Sequence, residues 1–179
     1  MPITNREVHL VRRPDGMPVP EDFSVVEAEL PDIAPGQFRV RNLFLSIDPA
    51  MRPRLSAGQA LDEPMAGGAI GRVVQSLNPE FAEGDYVMHR WSFREYANLD
   101  GRGAQKLAVD PGLSPSVYMH VLGGSGFVAY GGLLAIGKMK DGEQVFVSTA
   151  AGSVGSVAVQ VAKIHDCYVI GSPGSDEKC

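Results

Sequence analysis

The sequence predicts an α/β chain. A β-rich first part, in the form of a sandwich or partly open barrel, is followed by the opening of a doubly wound parallel sheet. Three observations predict it. Short strand signals alternate with turn signals over roughly the first 120 residues. From Pro115 the pattern changes to helical spacing. From Gln144 onward the order is strand, glycine-rich turn, helix, strand, which is the grammar of a βαβ unit. The change of pattern sets two domains, residues 1–119 and 120–179.

Each element has its own reason. Phe23-Ser-Val-Val-Glu-Ala-Glu-Leu30 is β-rich and stops at Pro31, which cannot donate to a strand ladder. Pro35-Gly36 is a turn. Gln37 to Ser46 alternates, with Phe38, Val40, Asn42 and Phe44 on one face. Gly67 to Val74, Asp85 to His89 and Glu95 to Leu99 read as further strands, and Gly84-Asp85 closes a turn onto one of them. Leu122 to Ile136 has apolar residues at helical spacing, Phe127 and Leu134 among them, and reads as a connecting helix. Gln144-Val-Phe-Val-Ser148 is a buried strand, Val157 to Lys163 a helix, and Cys167 to Ile170 a second strand.

Composition narrows the function. Of 179 residues, 44% are hydrophobic and 21% charged, ordinary for a globular protein. A net charge of −5 argues against a nucleic-acid surface. No apolar run reaches the ~18 residues of a membrane span, and the N-terminus lacks the apolar core of a signal peptide. Two cysteines, Cys167 and Cys179, make no disulfide framework, so a reducing, cytoplasmic setting is expected.

Ala150-Ala-Gly-Ser-Val-Gly155 follows the Gln144 strand at once. It is a G-x-G-x-x-G turn with Ala150 in the first glycine place. Gly152 lets backbone approach a pyrophosphate, and Gly155 lets helix pack close to strand. The helix N-terminus supplies free N–H groups for the anion, and Ser153 and Val154 of the turn are candidate cofactor-binding residues. The plainer reading is a tight strand–helix turn. The second strand ends Val169-Ile-Gly-Ser-Pro-Gly174, without the carboxylate that holds an NAD ribose. A phosphate there meets no repulsion, and Ser172 is placed to donate to it.

Four motifs, taken in order, carry a resemblance. They are Leu45-Ser-Ile-Asp-Pro-Ala-Met-Arg52, Phe93-Arg-Glu-Tyr-Ala97, Ala129-Tyr130 with Gly132-Leu-Leu134, and Ser148 to Gly155. The chain resembles the zinc-independent medium-chain dehydrogenase/reductases, in the group of prostaglandin reductase, leukotriene 12-hydroxydehydrogenase and curcumin reductase. The resemblance implies a GroES-like substrate domain, a Rossmann domain, NADP(H), and a homodimer when complete. It also implies reduction of the carbon–carbon double bond of an enone or enal. The family's Gly-Ser-Asp-Glu-Lys motif matches Gly174 to Lys178, so Lys178 is expected at the 2′-phosphate. The plainer reading is a solvated lysine in a helix turn capped by Ser175 or Asp176.

Two departures stand out. Ala50 replaces a tyrosine frequent in the Asp-Pro-x-Met-Arg motif, which either widens a pocket wall or is ordinary variation. The family's Met-Pro-Gly-x-Thr-Ala-Tyr is here Gly124-Ser-Gly-Phe-Val-Ala-Tyr130. Val128 therefore loses a threonine hydroxyl beside the nicotinamide, and Ser125 is a candidate to compensate. Asp48, Ala50, Arg52 and Tyr130 are the candidate pocket residues. Arg52 is expected to orient a pocket loop or to pair with a carboxylate, and Tyr130 to be packed.

No zinc site is expected. His9, His89, His120 and His165 show no ligand spacing and read as surface or turn residues. No catalytic acid is assignable, since the family's tyrosine near the carbonyl oxygen falls outside this sequence. The chain is expected to be a portion of a longer enzyme, inactive alone, with Val145, Val147, Val169 and Ile170 short of neighbours. A quinone reductase on the same scaffold and a non-catalytic binding protein are the rival readings.

Overall fold

The computed structural model describes residues 3–178. The chain forms two compact units, Met1–Gly112 and Leu113–Cys179.

In the first unit β1 (Ile3–Leu10) pairs antiparallel with β2 (Phe23–Leu30) along its full length. Neither β1 nor β7 below was expected. Ile3–Leu10 mixes polar and apolar residues too freely to show a period, and β7 has only three residues. β3 (Phe38–Leu45), β4 (Ala69–Ser76), β5 (Tyr86–His89), β6 (Tyr96–Leu99) and β7 (Gln105–Leu107) form one antiparallel sheet, ordered β6-β3-β4-β5-β7. Its core joins Phe38, Val40, Val73, Phe81, Val87, Ala97 and Leu99. Phe38 and Phe81 stack with ring centroids 4.1 Å apart. The expected face of β3 holds for Phe38 and Val40 but not for Phe44, which is 36% exposed. The register slips between Asn42 and Phe44, so the period of two is broken there. The Gly84-Asp85 turn forms as expected. Gly84 sits at φ +92°, and the Asp85 carboxylate accepts the Ala82 N–H and pairs with Lys106 at 2.6 Å.

A second cluster of the first unit joins Leu10, Leu55 and Met65, with Val8, Phe23, Met51 and Phe93 against it. It is closed from one side by the short helix α1 (Met51–Pro53), which runs on as a π turn, Arg54–Gly58.

In the second unit a 3-10 turn, Pro115–Met119, leads to α2 (Gly124–Tyr130). The expected helix over 122–136 is thus α-helical only in part, and Gly131–Ile136 follows as a π segment. Phe127, expected on its apolar face, is 79% exposed, while Ala129 is buried and Leu133 packs with it. β8 (Gln144–Ser148), α3 (Ser153–Ile164) and β9 (Tyr168–Ser172) follow, with β8 and β9 parallel. Cys167 is buried just before β9 and donates to the Lys140 carbonyl at 3.4 Å. Cys179 lies outside the described residues.

Candidate functional site

In the first unit the motif Asp48-Pro-Ala-Met51 is a turn that starts α1. The N–H of Met51 donates to Asp48 O at 2.9 Å, and that of Arg52 to Pro49 O at 3.0 Å. The Ser46 hydroxyl donates to the Asp48 carboxylate at 2.8 Å. Asp48 thereby borders two cavities. One, of about 610 Å³, is walled by Met17, Pro20, Phe23, Ile47, Met51 and Phe93 and has Arg52 at its edge. The other, of about 390 Å³, is lined by Ala50 with Arg54, Gly67 and Arg90. Asp48, Ala50 and Arg52 are thus brought together.

Arg52 makes contacts of its own in the first unit, and its charge also acts on the Asp22 carboxylate. Its guanidinium donates to the Gly16 carbonyl and, at 3.2 Å, to the Ser56 hydroxyl. Arg13 donates to the Leu55 carbonyl at 2.9 Å. Both arginines therefore hold the 11–19 loop, which brings Met17 and Pro18 to the apolar cavity. At the foot of that loop the buried Asp22 carboxylate accepts the Val19 N–H at 2.9 Å and Arg12 at 2.8 Å. The Val19 amide and then Arg12 hold its carboxyl below the usual carboxylate range.

Phe93 opens the Phe93-Arg-Glu-Tyr-Ala97 motif, but nothing in the sequence marks its backbone. Its φ is +56°, left-handed for a bulky side chain, at a cost of about 1–3 kcal/mol. That conformation brings its ring to the apolar cavity.

The reading of all four histidines as surface or turn residues is corrected for His89, which is 2% exposed. It ends β5 opposite Ala69 of β4, inside the sheet. Its Nδ1 accepts the Trp91 N–H at 3.1 Å. Burial, and then the Arg94 charge, lower the imidazole to about 4. Burial likewise pulls the Arg94 guanidinium below its ordinary value, with Glu7 opposing. The reading fails for His9 too, which lies in β1 with its side chain only 13% exposed and pairs with Glu7 at 3.1 Å. Among the described residues no three His, Cys, Asp or Glu side chains stand together as a metal site.

In the second unit the glycine turn is built as its motif requires. Gly152 is the N-cap of α3. Its N–H donates to Thr149 O at 2.8 Å, and the Ala150 N–H to Ser172 O at 3.1 Å, so the turn is tied to the tip of β9. A Cβ on Gly155 would run into the Thr149 carbonyl, and one on Gly171 would lie 2.7 Å from the Ala150 methyl. The amides of Ser153, Val154 and Gly155 belong to the first helical turn, which no preceding carbonyl of α3 can reach. Ser172 and Lys178 are exposed, with Lys178 ending a 3-10 turn, Asp176–Lys178. This donor set, with no carboxylate at the tip of β9, fits a phosphorylated dinucleotide.

Ser125, offered as a stand-in for the hydroxyl that Val128 lacks, meets Ser153 at 2.7 Å between hydroxyl oxygens. The expectation that Tyr130 is packed is corrected: it is 60% exposed. It ends α2, where Ala129 takes the buried position. Val145, Val147 and Val169, expected to lack neighbours, pack with Ala129, Val157 and Ala158. Ile170 is exposed as expected, at 52%.

Residues 6–107 match the family described as the N-terminal domain of oxidoreductase. The chain is 40% identical to the putative NADP-dependent oxidoreductase YfmJ of Bacillus subtilis, over 99% of its own length and 54% of that protein. It is 39% identical to the NADPH-dependent curcumin reductase of Escherichia coli, over 98% of its length and 52% of the relative. Among solved structures, CurA of Vibrio vulnificus in complex with NADPH matches with a TM-score of 0.86 and 37% identity, over 97% of this chain and 53% of that one. The chain spans about half the length of the curated relatives it matches.

Proposed function

Because the chain belongs to the zinc-independent, NADP-dependent branch of the medium-chain dehydrogenase/reductase family, we propose that it carries the substrate domain and the opening of the NADP domain of an enone or enal reductase. The domains we propose are residues 1–119 and 120–179. One observation carries the reading. A glycine turn between a parallel strand and a helix, with no acid at the tip of the next strand, accompanies an apolar cavity beside Asp48 and Arg52.

NADPH, when bound, supplies a hydride to the β-carbon of the conjugated double bond. The chain's own residues bind and orient. First-turn amides at Ser153, Val154 and Gly155 meet the pyrophosphate, where free N–H groups and the helix dipole favour an anion. Gly152 and Ala150 keep the turn narrow. Ser172 and Lys178 answer the 2′-phosphate, and Val128 and Ser125 border the nicotinamide side of the site. Met17, Phe23, Met51 and Phe93 exclude water from the hydrocarbon part of the substrate. Asp48 and Arg52 border this cavity, and Ala50 lines the smaller one that Asp48 shares. The α-carbon then takes a proton, for which no side chain of this chain is assigned.

The test uses the full-length enzyme, with NADPH consumption followed against an alkyl enone, a simple quinone and a saturated ketone. The expected result is turnover of the enone to the saturated ketone. Turnover of the quinone alone, or of a carbonyl to an alcohol, overturns the reading.

A further inference from the structure

We infer that Ser125 is a positioning residue for the cofactor turn: with His120 it holds Ser153, the first residue of α3, and presents the Ser153 hydroxyl to a phosphate oxygen of the dinucleotide. The inference rests on the nucleotide reading above.

The first turn of α3 needs holding. Its N-cap is Gly152, which has no side chain to cap the helix, and no acidic residue lies in the first turn. The preceding Thr149 is β-branched yet sits at φ +51°, where its backbone is strained. The hydroxyl and the carbonyl of Ser153 are both engaged, the first by α2 and the second by the segment before it. Its hydroxyl lies 2.7 Å from that of Ser125. Its carbonyl accepts His120 Nε2 at 3.0 Å, and also the Ser156 hydroxyl at 3.2 Å. Ser153 is thus fixed through both main chain and side chain.

The hydroxyl pair also has a spare proton. Two O–H groups share one hydrogen bond, so one proton remains free. If Ser125 donates to Ser153, the Ser153 O–H is free and more polarised, and Ser153 is the exposed member of the pair. An anion beside the α3 amides selects that arrangement. Ser125 stands at the proline of the Met-Pro-Gly-x-Thr-Ala-Tyr motif, and proline has no hydroxyl. The tie therefore depends on the residue that this chain carries there.

The test measures binding of NADPH and of 2′-AMP, which lacks a pyrophosphate, to the full-length enzyme. Wild type is compared with Ser125→Ala, Ser125→Thr, Ser153→Ala and the double alanine variant. Either single alanine should weaken NADPH about five- to tenfold, leave 2′-AMP unchanged, and raise KM for NADPH with little change in kcat. The double variant should be no worse than Ser153→Ala, and Ser125→Thr should restore binding. Unchanged NADPH affinity in Ser125→Ala overturns the inference. So does an equal loss for 2′-AMP, or failure of threonine to rescue. A wild type that binds neither ligand removes the nucleotide reading itself, and this inference with it.

Discussion

Phe38 and Phe146 lie in strands of similar apolar character, yet Phe38 is fully buried and Phe146 is 67% exposed. The difference follows from how each sheet finds its cover. In the first unit the strands of one antiparallel sheet lie side by side, and the Phe81 segment packs over the face that carries Phe38. That cover comes from the short connection between β4 and β5, in which Phe81 lies. In the second unit two parallel strands carry apolar residues on both faces, as such strands do. α2 and α3 cover the face with Val145, Val147 and Val169. Phe146 pairs with Ile170 on the other face, where both are exposed. An antiparallel sheet can be completed locally, whereas a parallel one needs a crossover for each face.

The comparison can be broken most sharply at Phe38. Phe38→Ala should cost about 3–5 kcal/mol in the first unit, since it opens a cavity where Phe81 stacks. Trp91, the one tryptophan of the sequence, packs against that cluster, so its fluorescence during urea unfolding reports this unit. A loss below 1 kcal/mol would mean that this core is not what holds the unit together.

His89 provides the next test. Its folded value of about 4 lies below the ordinary 6.5, so between these values the unfolded chain binds the extra proton. Stability should therefore be full above pH 6.5 and fall as pH drops toward 4, by about 3 kcal/mol. His89→Leu should flatten that part of the pH–stability curve, read again from Trp91. The same slope in wild type and variant would assign the acid sensitivity elsewhere, Asp22 being the first alternative.

In the second unit the expected effect concerns binding. Lys178→Ala should weaken NADPH by roughly ten- to a hundredfold, the loss of one charge-assisted contact, and leave NADH almost unaffected. Equal losses in the two titrations would return Lys178 to the role of a solvated lysine.

The smallest effect is expected at Phe146. Phe146→Ser should change the stability of this chain by about 0.5 kcal/mol or less, because the side chain is mostly in water already. A cost comparable to that of Phe38→Ala would show that its face is covered in solution.

Local chemistry made much of this protein legible without coordinates. The βαβ order, the glycine turn, the missing acid at Ser172 and the turns at Gly36 and Gly84 depend on short-range sterics and spacing, which neighbouring residues impose by themselves. Long-range pairing decided the rest. β1 became a strand because β2 offered it a complete antiparallel partner. The bulge after Asn42 turned Phe44 outward, and its position is where β4 slips in register. His89 became buried because it ends β5 against Ala69 of β4. Arg52 reached across to Gly16, and Ser125 to Ser153, over separations of 36 and 28 residues. A side chain's partner across such a gap depends on which backbones the fold brings together, and no local pattern records it.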